Sequence, residues 1–422
     1  MLISKRPVTD LKSPAYNPRI DILQTPAFKE SLSKSIDRFG YVEPIVWNKR
    51  TGNVVGGNQR LAILKDKGIT EVEVVEVDMS EAEEKALNVA LNKVTGDWHQ
   101  ERLSALMRDL QTLAPEMLDF TGFGGKELDR LLKDRSKMLG KDPDAMPEAP
   151  TPRTKKGDLI ILGDHRLLCG DSTDRNDVEK LMPQGAKATM IFTDPPYNVN
   201  YGSTKNPKYG SSTRNIWHDG RSPEHKANVP KDAIANDNLS AEDWVSFNQK
   251  LFAIFKEFCD GDVYMWGASG PDGMTARRLL VDAGCHWSAT IAWVKDSLVL
   301  SPANFHRQYE PCFYGWFGKS SFNNSMNSGN DRAGLSDVWE IARPKASDLH
   351  PTMKPIELCE KGINLSSKPG DVVLDLFGGS GSTLIACERT NRSCCMMELE
   401  PHYCDVIVKR WEDLTGEKAE YV

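Results

Sequence analysis

The chain of 422 residues carries a formal net charge of −7 at pH 7. That length exceeds one ordinary core, so two or three domains are expected. A mildly negative protein does not coat nucleic acid through charge alone, although it can still carry a local basic groove, because counterion release depends on the contact surface. No apolar run reaches membrane-spanning length, and MLISKRPVTDLKSPAYNPRI at the N-terminus lacks a signal-type apolar core, so no membrane partner and a cytoplasmic location are expected. The nine cysteines are scattered, Cys394 and Cys395 are adjacent and no C-x-x-C pair occurs, which fits reduced thiols better than disulfides or a metal site.

In chain order, VEPIVWN reads as a strand, KRTGN as a turn, and VVGGNQRLAILKDKG as a short strand, a glycine pair and a helix ending at Gly68. VEVVEV (72–77) is another strand. Ser80 and Glu83 then fit a capping box, and Ala86, Leu87, Ala90, Leu91 and Val94 follow at helical spacing. Leu103, Leu106, Met107 and Leu110 repeat the pattern, so residues 80–138 are expected to be helical. GKDPDAMPEAPTPRTKKGD (140–158) holds four prolines and almost nothing apolar, the composition of a linker. Beyond it, LIIL, ATMIFTD, DVYMWG, SATIAWVK, PCFYGWF, DVVLDLF and SCCMMELE are strand-like. AEDWVSFNQKLFAIFKEFC and GSTLIACERT are helix-like. The alternation predicts an α/β domain, a mostly parallel sheet with helices on both faces.

Two stretches in this domain carry chemistry. DVVLDLFGGSGSTLIACERT is a strand, a tight glycine turn and a helix. Gly378, Gly379 and Gly381 let backbone approach a ligand at a helix start, and the acid Glu398 ends the following strand. An acid so placed takes ribose hydroxyls in dinucleotide folds. The pattern is neither G-x-G-x-x-G nor a P-loop. A glycine turn alone is also ordinary α/β punctuation, but with Asp375 before it and Glu398 after it the reading is a nucleoside-bearing ligand. The other stretch is IFTDPPYNVNYG, an apolar strand that ends on Asp194-Pro195-Pro196-Tyr197. Alone it could be a rigid surface turn. At a strand's carboxyl end, however, ligands gather. The lone pair of an exocyclic base amine is delocalised into the ring, and two acceptors aimed at its hydrogens would pull the nitrogen towards a reactive geometry. The Asp194 carboxylate and the Pro195 carbonyl can be those acceptors, Pro196 stiffens the corner, and Tyr197 can stack on a base drawn out of a duplex.

TDPPY followed far downstream by DLFGGSGST resembles an amino-group DNA methyltransferase that uses S-adenosylmethionine, in the motif order of the beta class. The resemblance covers about residues 157–422. It implies a Rossmann-like sheet, double-stranded DNA as partner and S-adenosylmethionine as cofactor. By residue it implies that Asp171 and Ser172 of LLCGDSTD meet the cofactor's adenine. His350, Thr352 and Lys354 of HPTMKPIELCEKGI would lie near its methionine moiety. Asp375, Phe377, Gly379, Gly381 and Thr383 would form the glycine loop, and Glu398 would be the ribose acid. D-P-P-Y goes more often with N6-adenine, and a serine in first position with N4-cytosine, so adenine is the expected base. No metal is implied, and Cys169, Cys259 and Cys312 are expected to be packing residues. The loops 198–232 and 306–334 interleave basic and aromatic residues and are the candidates for DNA contact, with Lys205, Lys208, Arg214, Arg307 and Lys319 among them.

YNPR (16–19), VEPIVW and GGNQRLAIL resemble the ParB N-terminal, sulfiredoxin-like fold, which commonly precedes methyltransferases on phages and mobile elements. Gly57 and Arg60 match that family's anion-binding segment, whereas Asn58 and Gln59 replace its acid and first arginine. Anion or DNA-backbone contact and a passive, dimerising role both fit, so a homodimer belongs to the expectations. The expected division is a small α+β ParB-like domain at 1–78, a helical extension at 79–139, a linker at 140–156 and the methyltransferase domain at 157–422. The rival readings are an N4-cytosine enzyme, an RNA or protein-amide methyltransferase, and a DNA-binding partition or regulatory adaptor with a degenerate catalytic half. Asp194 and the late glycine loop oppose the second of these, and the intact motifs oppose the third.

Overall fold

The structure is a computed structural model. It describes residues 2–18, 26–39, 43–93, 100–123, 128, 132, 138, 141–147, 150–199, 235–299, 305–322, 335–343 and 353–422. The chain forms two compact units, Met1–Asp134 with Asn324–Leu335, and Arg135–Asn323 with Ser336–Val422.

The first unit contains β1 (Leu2–Pro7), α1 (Pro26–Phe39), β2 (Ile45–Asn48), β3 (Val54–Gly56), α2 (Asn58–Asp66), β4 (Glu71–Val77), α3 (Glu81–Lys93) and α4 (Gln100–Leu113). Its sheet runs β1-β4-β2-β3, with β4 antiparallel to β1 and parallel to β2. Val72 and Val74 of β4 turn inwards onto Val8, Ile45, Val54 and Leu61, while Glu71 and Glu73 face out, the alternation of a half-covered sheet. The capping box forms: Ser80 N donates to Glu83 Oε2 (2.8 Å) and Glu83 N to Ser80 Oγ (3.4 Å). The buried Glu84 one residue on accepts from Tyr16 Oη (2.5 Å), Asn48 Nδ2 (2.5 Å) and Asn53 Nδ2 (2.8 Å), tying α3 to the strands. Among the described residues the helical expectation for 80–138 holds over Glu81–Lys93 and Gln100–Leu113. After Leu113, Pro115 starts a separate 3-10 turn, because proline cannot donate into a continuing helix. Val94 lies outside the described residues.

The second unit contains β5 (Leu159–Leu162), β6 (His165–Cys169), α5 (Arg175–Leu181), β7 (Ala188–Thr193), α6 (Ala241–Phe258), β8 (Cys259–Trp266), α7 (Pro271–Asp282), β9 (His286–Val299), β10 (Arg307–Trp316), β11 (Val338–Glu340), α8 (Ile356–Ser366), β12 (Val372–Asp375), α9 (Ser382–Thr390), β13 (Ser393–Glu398), α10 (Pro401–Thr415) and β14 (Glu420–Tyr421). Among the described residues these strands form one sheet in the order β11-β9-β10-β8-β7-β12-β13-β6-β5-β14. The five central strands, β8-β7-β12-β13-β6, are parallel, and antiparallel pairs extend the sheet on both sides. The sheet is therefore mixed, with the expected parallel strands at its centre and five of its nine pairings parallel. β5 and β6 are joined by a two-residue turn, which admits only antiparallel pairing.

Burial on both faces explains why the central strands read as apolar runs. Val373, Cys394, Met396, Met190 and Phe192 face α8, α9 and α10. Leu374, Cys395, Met397 and Ile191 face α5, α6 and α7. All nine cysteines are buried free thiols, and Cys169, Cys259 and Cys312 sit in these two cores.

The proline-rich segment read as a linker is fastened to this second unit. Asp405 of α10, buried, accepts from Arg153 N (2.9 Å), Thr154 N (3.0 Å) and Thr154 Oγ1 (2.6 Å). Asp144 accepts from Ile356 N at the start of α8 (2.9 Å), and Lys141 donates to Leu414 O (2.9 Å). Asp405→Ala strands the two backbone donors, and a loss of about 1–3 kcal/mol is expected for buried groups left unpaired. Thermal melts of the variant against wild type check this, and an unchanged midpoint would mean the strap contributes nothing.

Candidate active site

β7 and β12 lie side by side and parallel, and their onward connections leave in opposite directions, β7 to β8 and β12 to β13. Such a reversal opens a crevice at the strands' carboxyl ends. A cavity of about 550 Å³ occupies that place. It is lined by Gly170, Asp171 and Ser172 after β6, Thr193–Tyr197 at the end of β7, Asp375–Ser380 after β12, Glu398–Glu400 at the end of β13, and Lys354, Thr383 and Glu310.

Local bonding sets the corner after β7. Thr193 Oγ1 donates to Asp375 Oδ1 (2.8 Å), linking the two strand ends. Asp237, buried, accepts from Tyr197 N and Val199 N (3.1 Å each). Asn198 adopts a left-handed φ of 57°, and its Oδ1 accepts from Leu239 N (2.6 Å). The two prolines supply no amide hydrogens, so Asp237 and Asn198 take over the anchoring of the turn.

Asp194 is the centre of a charged network. Its Oδ1 accepts from Tyr197 Oη (2.6 Å), and its Oδ2 accepts from Lys354 Nζ (2.5 Å). Lys354 also reaches Glu310 Oε2 (3.0 Å), whose Oε1 is ion-paired with Lys295. Burial works against the Lys354 charge, but the carboxylates of Asp194 and Glu310 outweigh it and raise its pKa. Burial likewise opposes the Glu310 charge, yet Lys354 and Lys295 hold it down at about 2. Burial and the neighbouring Asp194 raise the Tyr197 pKa, so the phenol stays a donor.

The glycine loop is held from behind. Gly378 N donates to Met397 O (2.8 Å), and Gly379 N to Glu398 Oε2 (2.7 Å). Gly379 and Gly381 have φ of 52° and 86°. Gly378 and Gly379 line the cavity and Gly381 does not. Gly381 caps α9, and a Cβ on it would come within 3.0 Å of Ile407 Cγ1 on α10, so helix packing is what demands glycine there.

Burial raises both acids at the back of the cavity. Asp375 is pushed up to about 7 despite bonds from Thr383 and Thr193, and Glu398 to about 7 despite bonds from Glu400 N and Gly379 N. Folded-state values above the ordinary carboxylate range contribute stability that is complete below about pH 4 and lost as pH rises through 7. The ligand-free protein is therefore expected to melt progressively lower between pH 5 and pH 8. A flat profile across that window would show that neither acid holds its proton.

Of the residues singled out from the sequence, the cavity brings together Asp171, Ser172, Asp194, Pro195, Pro196, Tyr197, Lys354, Asp375, Phe377, Gly379, Thr383 and Glu398. His350, Thr352, Lys205, Lys208 and Arg214 lie outside the described residues. Arg307 is exposed on the part of β10 that runs past the carboxyl end of β8, the cavity's side of the sheet. Lys319 follows β10 at the other end, level with the start of β8, and is not part of this gathering. Gly57 and Arg60 belong to the first unit, where Arg60 pairs with the Glu43 carboxylate (2.9 Å) and donates to its carbonyl. The sequence reading missed Glu310, Lys295 and Asp237. The signal available for Glu310 was a lone acid entering the apolar strand EPCFYGW.

A crevice at a strand-order reversal, closed by a glycine turn and carboxylates, is the architecture of a nucleoside-binding α/β enzyme. Residues 188–409 match the DNA methylase family of N6/N4 methyltransferases, and the chain belongs to that family. Type II methyltransferase M.HpaI of Haemophilus parainfluenzae is 23% identical over 279 residues, 58% of this chain and 74% of that one. Type II methyltransferase M2.DpnII of Streptococcus pneumoniae is 27% identical over 251 residues, 56% and 85% of the two chains. Among solved structures, the M1.HpyAVI–SAM complex aligns with a TM-score of 0.40 at 20% identity, covering 58% of this chain and 98% of that one. The cytosine-N4-specific PvuII DNA methyltransferase aligns at 0.41 and 15%, covering 65% and 98%.

Proposed function

We propose that this chain methylates the exocyclic N6 of adenine in double-stranded DNA at a defined sequence, with S-adenosylmethionine as donor, and that it is a beta-class enzyme. The observation that carries the reading is the meeting of the Asp194–Tyr197 corner, the Gly378–Gly379 turn and Glu398 in one cavity. Its volume of about 550 Å³ suits a cofactor-sized ligand. Glu398 is a carboxylate whose burial outweighs the amide donors it has, the chemistry that a ligand bringing ribose hydroxyls would satisfy. S-adenosylmethionine, when bound, supplies an electrophilic methyl group. The chain's own residues supply position and polarisation. Asp194 keeps unused lone pairs beside those taken by Tyr197 and Lys354, and with the Pro195 carbonyl it accepts the two amine hydrogens. The half-buried Tyr197 ring offers a face to a base drawn from the stack. Asp171, Ser172 and Phe377 complete the cofactor's cradle.

We read the first unit as a ParB-like domain that adds backbone contact with DNA through the region of Gly57 and Arg60. Arg60 must then exchange its Glu43 partner for phosphate.

The test incubates the full-length protein with labelled S-adenosylmethionine and mixed-sequence duplex DNA, followed by nucleoside analysis of the digest. N6-methyl-2′-deoxyadenosine is the expected product. N4-methylcytosine would move the enzyme to the other branch of its family, and tight cofactor binding with no labelled nucleoside would end the DNA methyltransferase reading.

A further inference from the structure

We infer that Lys354 and Glu310 act as a positioning pair for Asp194, fixing how its carboxylate is presented to the substrate amine. The inference rests on the methyltransferase reading above and adds to it two residues with a role other than holding cofactor. An ammonium has three hydrogens to donate. Those of Lys354 meet three acceptors, Asp194 Oδ2 at 2.5 Å, Glu310 Oε2 at 3.0 Å and the Tyr197 hydroxyl at 3.3 Å. The side chain is 8% exposed, and the rings of Tyr197, Trp266 and Trp293 stand 5.7, 5.7 and 6.0 Å from the ammonium. Its donors are therefore committed to the acid corner, and the aromatic walls leave it little room to swing elsewhere.

Glu310 makes this hold directional. One of its oxygens takes Lys354 and the other takes Lys295, so two cations and two carboxylates alternate in the order Lys295, Glu310, Lys354, Asp194. The ammonium is pulled from both sides and rests between the acids. Asp194 is then gripped on Oδ1 by Tyr197 and on Oδ2 by Lys354, which stops rotation of the carboxylate and leaves its remaining lone pairs aimed in one direction. Without Glu310 the ammonium loses its second carboxylate and is held only by Asp194 and the Tyr197 hydroxyl, so it can turn about them. Without Lys354 Glu310 keeps Lys295, but Asp194 loses its cation and turns about the single bond from Tyr197. Either change misdirects the acceptor without touching the glycine turn or Glu398.

Rate should therefore suffer while cofactor affinity does not. Full-length Lys354→Met, Lys354→Arg, Glu310→Gln, Asp194→Asn and the double variant Lys354→Met/Asp194→Asn are compared in steady-state methylation of genomic duplex DNA, with S-adenosylmethionine affinity read by calorimetry. Misplaced reacting groups cost on the order of a hundredfold, so Lys354→Met is expected to lose about that much kcat, Glu310→Gln about tenfold and Lys354→Arg less than Lys354→Met, all with near wild-type cofactor affinity. Because Lys354 acts through Asp194, the double variant should be no slower than Asp194→Asn alone. Losses that multiply in the double variant would overturn the pairing. If Lys354→Met no longer binds cofactor, Glu310→Gln decides: reduced kcat with intact affinity upholds the pair, and wild-type kcat overturns it and returns the lysine to the cofactor's cradle. A wild-type protein without methyl transfer overturns the functional reading and this inference with it, whereas an active wild type with unaffected variants overturns the inference alone.

Discussion

Asp194→Ala should lose most of its turnover and keep its cofactor. Removing one preorganised acceptor or donor from a reacting centre typically costs about 2.7–4 kcal/mol of barrier, or roughly a hundred- to thousand-fold in rate. The structure accounts for both halves of the expectation. Asp194 stands at the end of β7 with its carboxylate bonded to Tyr197 and Lys354. The nearest support of the glycine turn is Glu398, on a different strand. Alanine leaves Lys354 with Glu310 and the Tyr197 hydroxyl and removes the charged acceptor proposed for the amine. Calorimetry with S-adenosylmethionine and single-turnover kinetics on DNA separate the two effects. Turnover near wild type would remove Asp194 from the chemistry.

Gly381→Val should abolish cofactor binding together with a large part of the second unit's stability. Residue 381 has φ 86°, where a side chain costs roughly 1–2 kcal/mol and a β-branched one is a poor fit. A Cβ would already sit 3.0 and 3.1 Å from Ile407 Cγ1 and Cγ2, and valine adds two methyl groups beyond it. Overpacking of that kind costs about 1–3 kcal/mol more. Strain enters at the first turn of α9, immediately behind Gly378 and Gly379, so the loop that lines the cavity cannot keep its path. The expected result is a melting point lowered by several degrees and no calorimetric signal with S-adenosylmethionine. A stable variant with unchanged affinity would detach this loop from the cofactor site.

The motifs were legible in the sequence where local chemistry writes them. Asp194-Pro195-Pro196-Tyr197 and the Phe377–Gly381 turn are contiguous, and each needs residue types that few other contexts need. The central strands were legible because two buried faces leave an apolar run no alternative. Partnerships across long separations were not. Lys354 and Asp194 are 160 positions apart, and no spacing rule joins them. Gly381 was read as room for a ligand, whereas Ile407 of α10 is the neighbour that excludes a side chain. The prolines of 140–156 suggested a loose connection, because composition does not reveal that Asp405 receives the backbone of Arg153 and Thr154. β6 escaped notice because HRLLC is short and begins with two polar residues.

The placing of β7 between β8 and β12 has a kinetic consequence. β8 follows β7 in the chain and pairs with it, and β10 and β9 continue that half of the sheet from nearby sequence. On its other side β7 must await β12, and the bond between their ends joins Thr193 to Asp375 across 182 positions. Closing so long a loop adds only about 0.6 kcal/mol per doubling of its length, but pairing at that separation is slow. The seam between the two half-sheets is thus one of the sheet's slow, long-range pairings, together with β13 on β6 and β14 on β5, and the cavity lies astride it. A nucleoside held there acts as a clasp, stabilising the joined form by mass action. Occupancy of the crevice and resistance of the second unit to coming apart therefore rise and fall together.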